Sequence, residues 1–260
     1  MDYGISNKRA LVLGASGGLG AACAAALVAE GVTVYGAARN TDKLEGFKTE
    51  LGASGDRFIP VTLDLTDMAA VDAVAARLNA EGGIDILVNN TGGPAPGGAH
   101  GQSTEAWSKA FNLLALPVFR LTDLLLPHMI AQNWGRIISI GSSGIEAPIP
   151  NLALSNGARA AVAGWSKTLA GEVAKHGVTV NMILPGRIAT DRVAQLDQNA
   201  ASREALDVET VQARSRATIP AGRYGRPEEF GAVCAFLAST AASYVTGSMI
   251  RVDGGMIRSV

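Results

Sequence analysis

The sequence predicts a three-layer, doubly wound α/β fold around a seven-stranded parallel sheet, and three observations predict it. Short β-branched runs alternate with alanine-rich helical patterns from one end of the 260 residues to the other. Central runs such as IDILV at 84–88 are nearly continuous in apolar residues, which is how a strand buried on both faces reads. The first run leads directly into a glycine cluster and an apolar helix, the kind of junction where an open parallel sheet holds a ligand.

Taken in order, the strands are RALVL at 9–13, VTVYGA at 32–37, RFIPVTL at 57–63 and IDILVN at 84–89. GRIISIG at 135–141, VTVNMIL at 178–184 and SMIRV at 248–252 complete the set. Helical patterns fall between them at 18–30, 41–51, 67–80, 104–132, 152–176 and 227–239. Strict alternation implies right-handed βαβ crossovers and one sheet covered on both faces. About forty residues between the sixth strand and the last helix are too many for an ordinary connection. They are polar, carry helical patterns near 190–198 and 205–217, and lie where a substrate lid would sit. A surface insertion is the alternative. The whole chain, 1–260, is read as one dinucleotide-binding domain with a lid at about 187–226.

Composition narrows the function. With 48% hydrophobic and 17% charged residues, the chain has ample material for one large core and is not disordered. A net charge of −1 with scattered basic residues gives no footprint for nucleic acid or an anionic membrane. Cys23 and Cys234 sit in apolar helical patterns and read as small core residues, and no cluster of metal ligands stands out. The first residues lack the layout of a signal peptide, and Arg120 and Asp123 interrupt the apolar stretch 113–130, so a cytoplasmic protein is expected.

The glycine cluster is the first chemical motif. Gly14, Gly18 and Gly20 follow the first strand, where a sharp turn lets phosphates approach the backbone. The helix that follows directs its free N–H groups and positive dipole end at a pyrophosphate. At the end of the second strand, where an NAD-preferring protein places a carboxylate for the ribose hydroxyls, this chain has Ala38, Arg39 and Asn40. The guanidinium fork of Arg39 suits a 2′-phosphate, so NADP(H) is expected over NAD(H). A solvated helix-start charge is the other reading of Arg39.

Five segments in order resemble the short-chain dehydrogenase/reductase family, of the 3-oxoacyl-acyl-carrier-protein reductase kind, over essentially the whole chain. Gly14-Ala15-Ser16-Gly17-Gly18-Leu19-Gly20 is similar to its TGxxxGxG loop, and Asp64-Leu65 to the pair that holds adenine. Asn89-Asn90-Thr91-Gly92 resembles its NNAG motif. Pro185-Gly186, with Ile188 and Thr190 just beyond, resembles the segment at the nicotinamide end, and Asp253-Gly254-Gly255 its closing DGG. The resemblance implies a Rossmann fold, a nicotinamide cofactor held by these residues, and an oxidoreductase acting on a carbonyl or hydroxyl group. It also implies a homotetramer built through the two long helices and the last helix and strand.

The same resemblance implies a catalytic Asn, Ser, Tyr and Lys, and here the chain departs from the family. Asn112 and Ser142 match the first two, but Ser155 stands at the Tyr position and Arg159 at the Lys position. The Lys binds the nicotinamide ribose, a task Arg159 retains the charge to perform. A serine hydroxyl is far less acidic than a phenol, and an arginine cannot relay a proton. Three readings follow. A reductase could take its proton from a water near Ser142, Ser155 and Arg159, or from His100, whose imidazole chemistry suits the task. A lyase or isomerase could use Arg159 and Arg187 to bind an anionic oxygen. A silent nucleotide-binding protein is the third. Arg187 and Arg192, at the start of the lid, are candidates for selecting carboxylate or phosphoester substrates, with plain surface charge as the alternative.

Overall fold

Seven parallel strands form one sheet in the order β3-β2-β1-β4-β5-β6-β7 in a computed structural model that describes residues 2–259. The strands are β1 (Arg9–Leu13), β2 (Thr33–Ala38), β3 (Phe58–Thr62), β4 (Ile86–Asn89), β5 (Gly135–Ile140), β6 (Val178–Pro185) and β7 (Met249–Val252). The order reverses between β1 and β4, so their carboxyl ends flank the crevice where such sheets bind ligands.

Side-chain alternation along β1 shows how the layers form. Ala10 and Val12 join one buried cluster with Leu27, Phe230 and Leu237, under α1 (Gly18–Ala29) and α9 (Pro227–Ala238). Leu11 and Leu13 point the other way, into a cluster with Leu78, Leu125 and Leu169. That face is covered by α3 (Met68–Ala80), α5 (Leu116–Ala131) and α6 (Ala153–Val173). The remaining helices are α2 (Thr41–Glu50), α4 (Thr104–Leu114), α7 (Asp191–Glu204) and α8 (Val208–Ala217). Cys23 and Cys234 are buried as expected and meet where α1 crosses α9, and the neighbouring Cys234 thiol, with burial, raises the Cys23 thiol's pKa.

The helix expected at 104–132 is two helices. Ala115 is stretched to φ −114° within the right-handed helical region, and Pro117 in the next turn has no N–H to continue the α4 ladder. This apolar stretch has the length and composition of a membrane span, yet it is broken at Ala115, and Leu114, Leu121, Leu125 and Met129 bury within the protein.

At the amino end of β5, Arg136 is only 2% exposed and has no carboxylate partner among the described residues. Its guanidinium donates to the carbonyls of Gly135 (2.8 Å), Gly177 (3.2 Å) and Ser239 (3.2 Å) and stacks 4.4 Å from the Trp134 ring. Burial lowers its pKa to about 10, which leaves it charged at neutral pH. Arg136→Met orphans those carbonyls and is expected to cost about 2–4 kcal/mol in urea unfolding; a loss of less than about 0.5 kcal/mol, ordinary for a surface site, would refute the clamp.

Candidate active site

The helices of this protein fall into two groups at their amino ends. Asn40, Asp67, Ser103, Thr190 and Asp207 each cap a helix through a side-chain oxygen. By contrast α1, α5 and α6 start after Gly17, Ala115 and Leu152 with no side-chain cap and no acidic residue in the first turn. Of these, α5 continues directly from α4, whereas α1 and α6 begin beyond the carboxyl ends of β1 and β5. Their free N–H groups have no partner from a capping side chain, which suits an anionic ligand.

Geometry explains the glycines before α1. Gly14 has φ +64°, and a Cβ on it would lie 2.5 Å from Asn90 Nδ2. A Cβ on Gly20 would lie 2.2 Å from the Gly14 carbonyl oxygen, so the loop closes only with glycine at both places. Gly17 and Gly18 line an open cleft with Ser16 and Thr190, and Leu19 packs inward on the core. Asn90 therefore acts as a wedge behind the loop. That cleft continues along the alanine face of α1 toward α2 and α9.

At the far end of the crevice, Arg39 is exposed beside Asp64. Asp64 accepts from the backbone N–H (2.9 Å) and hydroxyl (2.8 Å) of Thr66; those bonds first, and Arg39 last, hold its carboxyl below the usual range. Leu65 is half-buried against the core. Asn40 is committed to its helix, its Oδ1 accepting from Lys43 N–H at 2.9 Å. Across the crevice, Pro185-Gly186 packs on the closing Asp253-Gly254-Gly255 turn: Gly186 N–H donates to Val252 at 2.9 Å, and a Cβ on Gly186 would sit 2.6 Å from Asp253 Cα. Ile188 leaves only its backbone for the expected cofactor contact. Its side chain is 3% exposed and belongs to the core, because the Ile188–Gly225 bridge turns it inward.

Ser142 closes β5, and its Oγ accepts from Gly144 N–H at 3.0 Å. Ser155 is half-buried in the first turn of α6. One turn later Arg159 reaches back under both, donating to the carbonyls of Ile140 (3.1 Å), Gly141 (3.5 Å) and Gly92 (2.8 Å). Burial lowers its pKa to about 10. It forms no ion pair among the described residues.

Asn112 is the clearest correction. It is exposed on α4, whereas Leu114 lines a small closed cavity with Arg159, Asn89, Ser139 and Met182. Residues two apart on a helix lie on opposite sides, and the buried face of α4 runs through Ala110 and Leu114. A leucine thus occupies the position facing Arg159, and Asn112 faces away. The same cavity holds Asn89, whose Oδ1 has no hydrogen-bond partner among the described residues. His100 is exposed in the turn before α4 and makes no hydrogen bond to Ser142 or Ser155. Arg187 is spoken for: its Nη1 lies 3.1 Å from Asp197, which is 1% exposed and also accepts from Tyr224 at 2.9 Å. Arg192 has no ion-pair partner among the described residues. No local pattern marks the Asp197 knot, whose members are spread from residue 187 to residue 224.

Comparison with known proteins places this geometry. Residues 14–257 match the family model described as enoyl-(acyl carrier protein) reductase. The chain is 37% identical over 252 residues to the 3-oxoacyl-[acyl-carrier-protein] reductase FabG of Salmonella typhimurium, covering 96% of this chain and 97% of the relative. It is 36% identical over 257 residues to nodulation protein G of Azospirillum brasilense, covering 97% and 99%. L-sorbose reductase from Gluconobacter frateurii, solved with NADPH and L-sorbose, superposes with a TM-score of 0.94 at 33% identity over the whole of both chains. YwfH, an NADPH-dependent reductase involved in bacilysin biosynthesis, gives 0.92 at 30% identity, covering 98% and 100%. With identity above 30% along nearly the full length of its relatives, and a doubly wound sheet with its glycine loop at the switch point, the chain belongs to the short-chain dehydrogenase/reductase family.

Proposed function

We propose that the protein is an NADP(H)-dependent oxidoreductase of a carbonyl/hydroxyl pair, working with Ser142, Ser155 and Arg159 in place of the family's usual proton-transfer set. The observation that carries this reading is the uncapped α1 terminus behind Gly14, Gly18 and Gly20, with Arg39 at one end of the same crevice and Ser142 at the other. Relatives solved with NADPH support it. A nicotinamide dinucleotide bound there supplies the hydride.

Each residue then has a task. The α1 amides bind the pyrophosphate, and Arg39 pairs with the 2′-phosphate. Ser142 donates a hydrogen bond to the substrate oxygen. Ser155 presents a second hydroxyl from the α6 terminus. Arg159 supplies a fixed positive charge beneath that oxygen and, through its bond to the Gly92 carbonyl, would position that loop to hold the nicotinamide ribose. Charge build-up on the substrate oxygen is stabilised by this cation in a partly desolvated site. The proton comes from solvent on the open side, since Leu114 and Arg159 offer no relay through the interior.

The chain works as one dinucleotide-binding domain whose lid, at about 187–226, covers the substrate. Phe236 and Met249 are exposed on α9 and β7, and Tyr244 between them is fully so, which supports assembly through that face into the expected homotetramer.

Two measurements test the reading. Nicotinamide absorbance followed with aldehydes, ketones and 3-oxoacyl thioesters should show turnover; product without absorbance change, or no reaction with any of them, rejects it. Arg39→Ala should weaken NADPH binding by about tenfold or more and leave NADH binding nearly unchanged. An unaltered preference for NADPH removes Arg39 from the site.

A further inference from the structure

The lid begins by crossing the crevice, and its first residues face different walls. Thr190 lies over the phosphate loop, its Cγ2 3.7 Å from where a Cβ on Gly18 would be. Two residues later Arg192 lies over the opposite wall, its Nη2 4.0 Å from where a Cβ on Gly93 would be. Gly93 follows Gly92, whose carbonyl accepts from Arg159 at 2.8 Å. Two guanidinium groups therefore meet successive residues of the loop after β4, and neither has an ion-pair partner among the described residues. Asp191, the adjacent carboxylate, pairs with neither of them.

Arg192 is held in this place by the lid's own frame. Ala189 N–H donates to Gly225 at 2.8 Å, and Gly225 N–H to Arg187 at 2.9 Å, stitching the two legs of the lid together. Arg187 and Tyr224 both bind the buried Asp197 one turn beyond Arg192 on α7. The start of α7 is thus fixed from both legs, which lowers the ordering cost of using its first-turn side chain for recognition. The Arg192 side chain is exposed beside Gly93, and an exposed charge at a substrate entrance selects ligands of opposite sign.

We infer that Arg192 reads an acid group on the substrate, so that the protein prefers carbonyl compounds carrying a carboxylate or phosphate. The dinucleotide's own phosphates are the other source of such an anion. They are met by the α1 amides on the Thr190 side of the crevice, whereas Arg192 stands on the Gly93 side with Ser142's neighbour Arg159. The choice of a carbonyl substrate rests on the oxidoreductase reading; the acid preference does not.

The test compares matched probes on the native protein, Arg192→Ala and Arg192→Lys. Pyruvate, acetoacetate and levulinate are each set against the methyl ester, and dihydroxyacetone phosphate against dihydroxyacetone. At least one acid should exceed its neutral partner in kcat/KM by about tenfold or more. Arg192→Ala should erase that ratio through KM, Arg192→Lys should restore part of it, and the Kd for NADPH should not move. No acid preference in any pair overturns the inference. So does a weaker NADPH Kd accompanied by equal losses for acid and neutral probes, which assigns the arginine to the cofactor's phosphates. Calorimetric binding of the same probes to the NADP⁺-loaded protein repeats the comparison without turnover. Acid-selective binding lost in Arg192→Ala, with no redox reaction, would keep the anion site and reject only the oxidoreductase.

Discussion

Alanine at Gly20 is expected to abolish dinucleotide binding. Its Cβ would lie 2.2 Å from the Gly14 oxygen, 2.6 Å from the Gly14 carbonyl carbon and 2.7 Å from Asn90 Nδ2. The first two are backbone atoms of the turn that presents the α1 terminus, which no rotamer change can move, and the third is the Asn90 wedge behind it. The helix start must shift away, taking its amides off the pyrophosphate. Binding of NADPH should fall by about a hundredfold or more, since those amides make the main charge-assisted contacts with the phosphates. Overpacking should also cost about 1–3 kcal/mol of stability. Gly17→Ala separates the two effects. Nothing lies within 4 Å of a Cβ at Gly17, and its φ of 170° is open to any residue, so that variant should keep its Tm while losing NADPH affinity. A Gly20→Ala protein that binds NADPH within about threefold of the native value would contradict this account of the loop.

The second large effect concerns the proton. Ser155→Tyr combined with Arg159→Lys should raise the rate of carbonyl reduction by about 10²–10⁴, the usual worth of a positioned general acid. The pH profiles should differ in form. In the native protein burial lowers the Arg159 pKa to about 10, which leaves it a cation throughout the working range. With no phenol or ammonium at these positions, reduction should be nearly flat between about pH 6 and 9. In the double variant a phenol beside an ammonium loses its proton within the accessible range, so reduction should decline as pH rises. Leu114→Asn added to the pair should raise the rate again, because Leu114 is the apolar neighbour of residue 159 in the closed cavity. A native rate that the double variant fails to exceed would mean that another group already supplies the proton.

The sequence carried the architecture well and the site unevenly, for physical reasons. Buried parallel strands are uniform apolar runs, so all seven were legible to within two residues. The glycine loop was legible because a positive φ and close backbone approach leave no other residue type. Ser142, Ser155 and Arg159 were placed by spacing, and the structure brings Arg159 to the β5 end that carries Ser142. Asn112 was misplaced because an asparagine in the right helix outweighed the helix face, which at 3.6 residues per turn selects Leu114. The break at Ala115 was hidden by composition that stays apolar across it. Ile188 reads as a cofactor neighbour in sequence, and the Ile188–Gly225 bridge, which turns its side chain into the core, is a long-range contact with no local signal. Arg187 and Arg192 looked alike in sequence; only the fold distinguishes them, by bringing Asp197 to Arg187 and no carboxylate among the described residues to Arg192.

The account rests on a nicotinamide coenzyme lying across the carboxyl ends of β1 and β4, and titrating the purified protein with NADPH while following nicotinamide fluorescence tests this most directly. It predicts saturable binding at one site per chain, tighter for NADPH than for NADH. A flat titration with both coenzymes would contradict it.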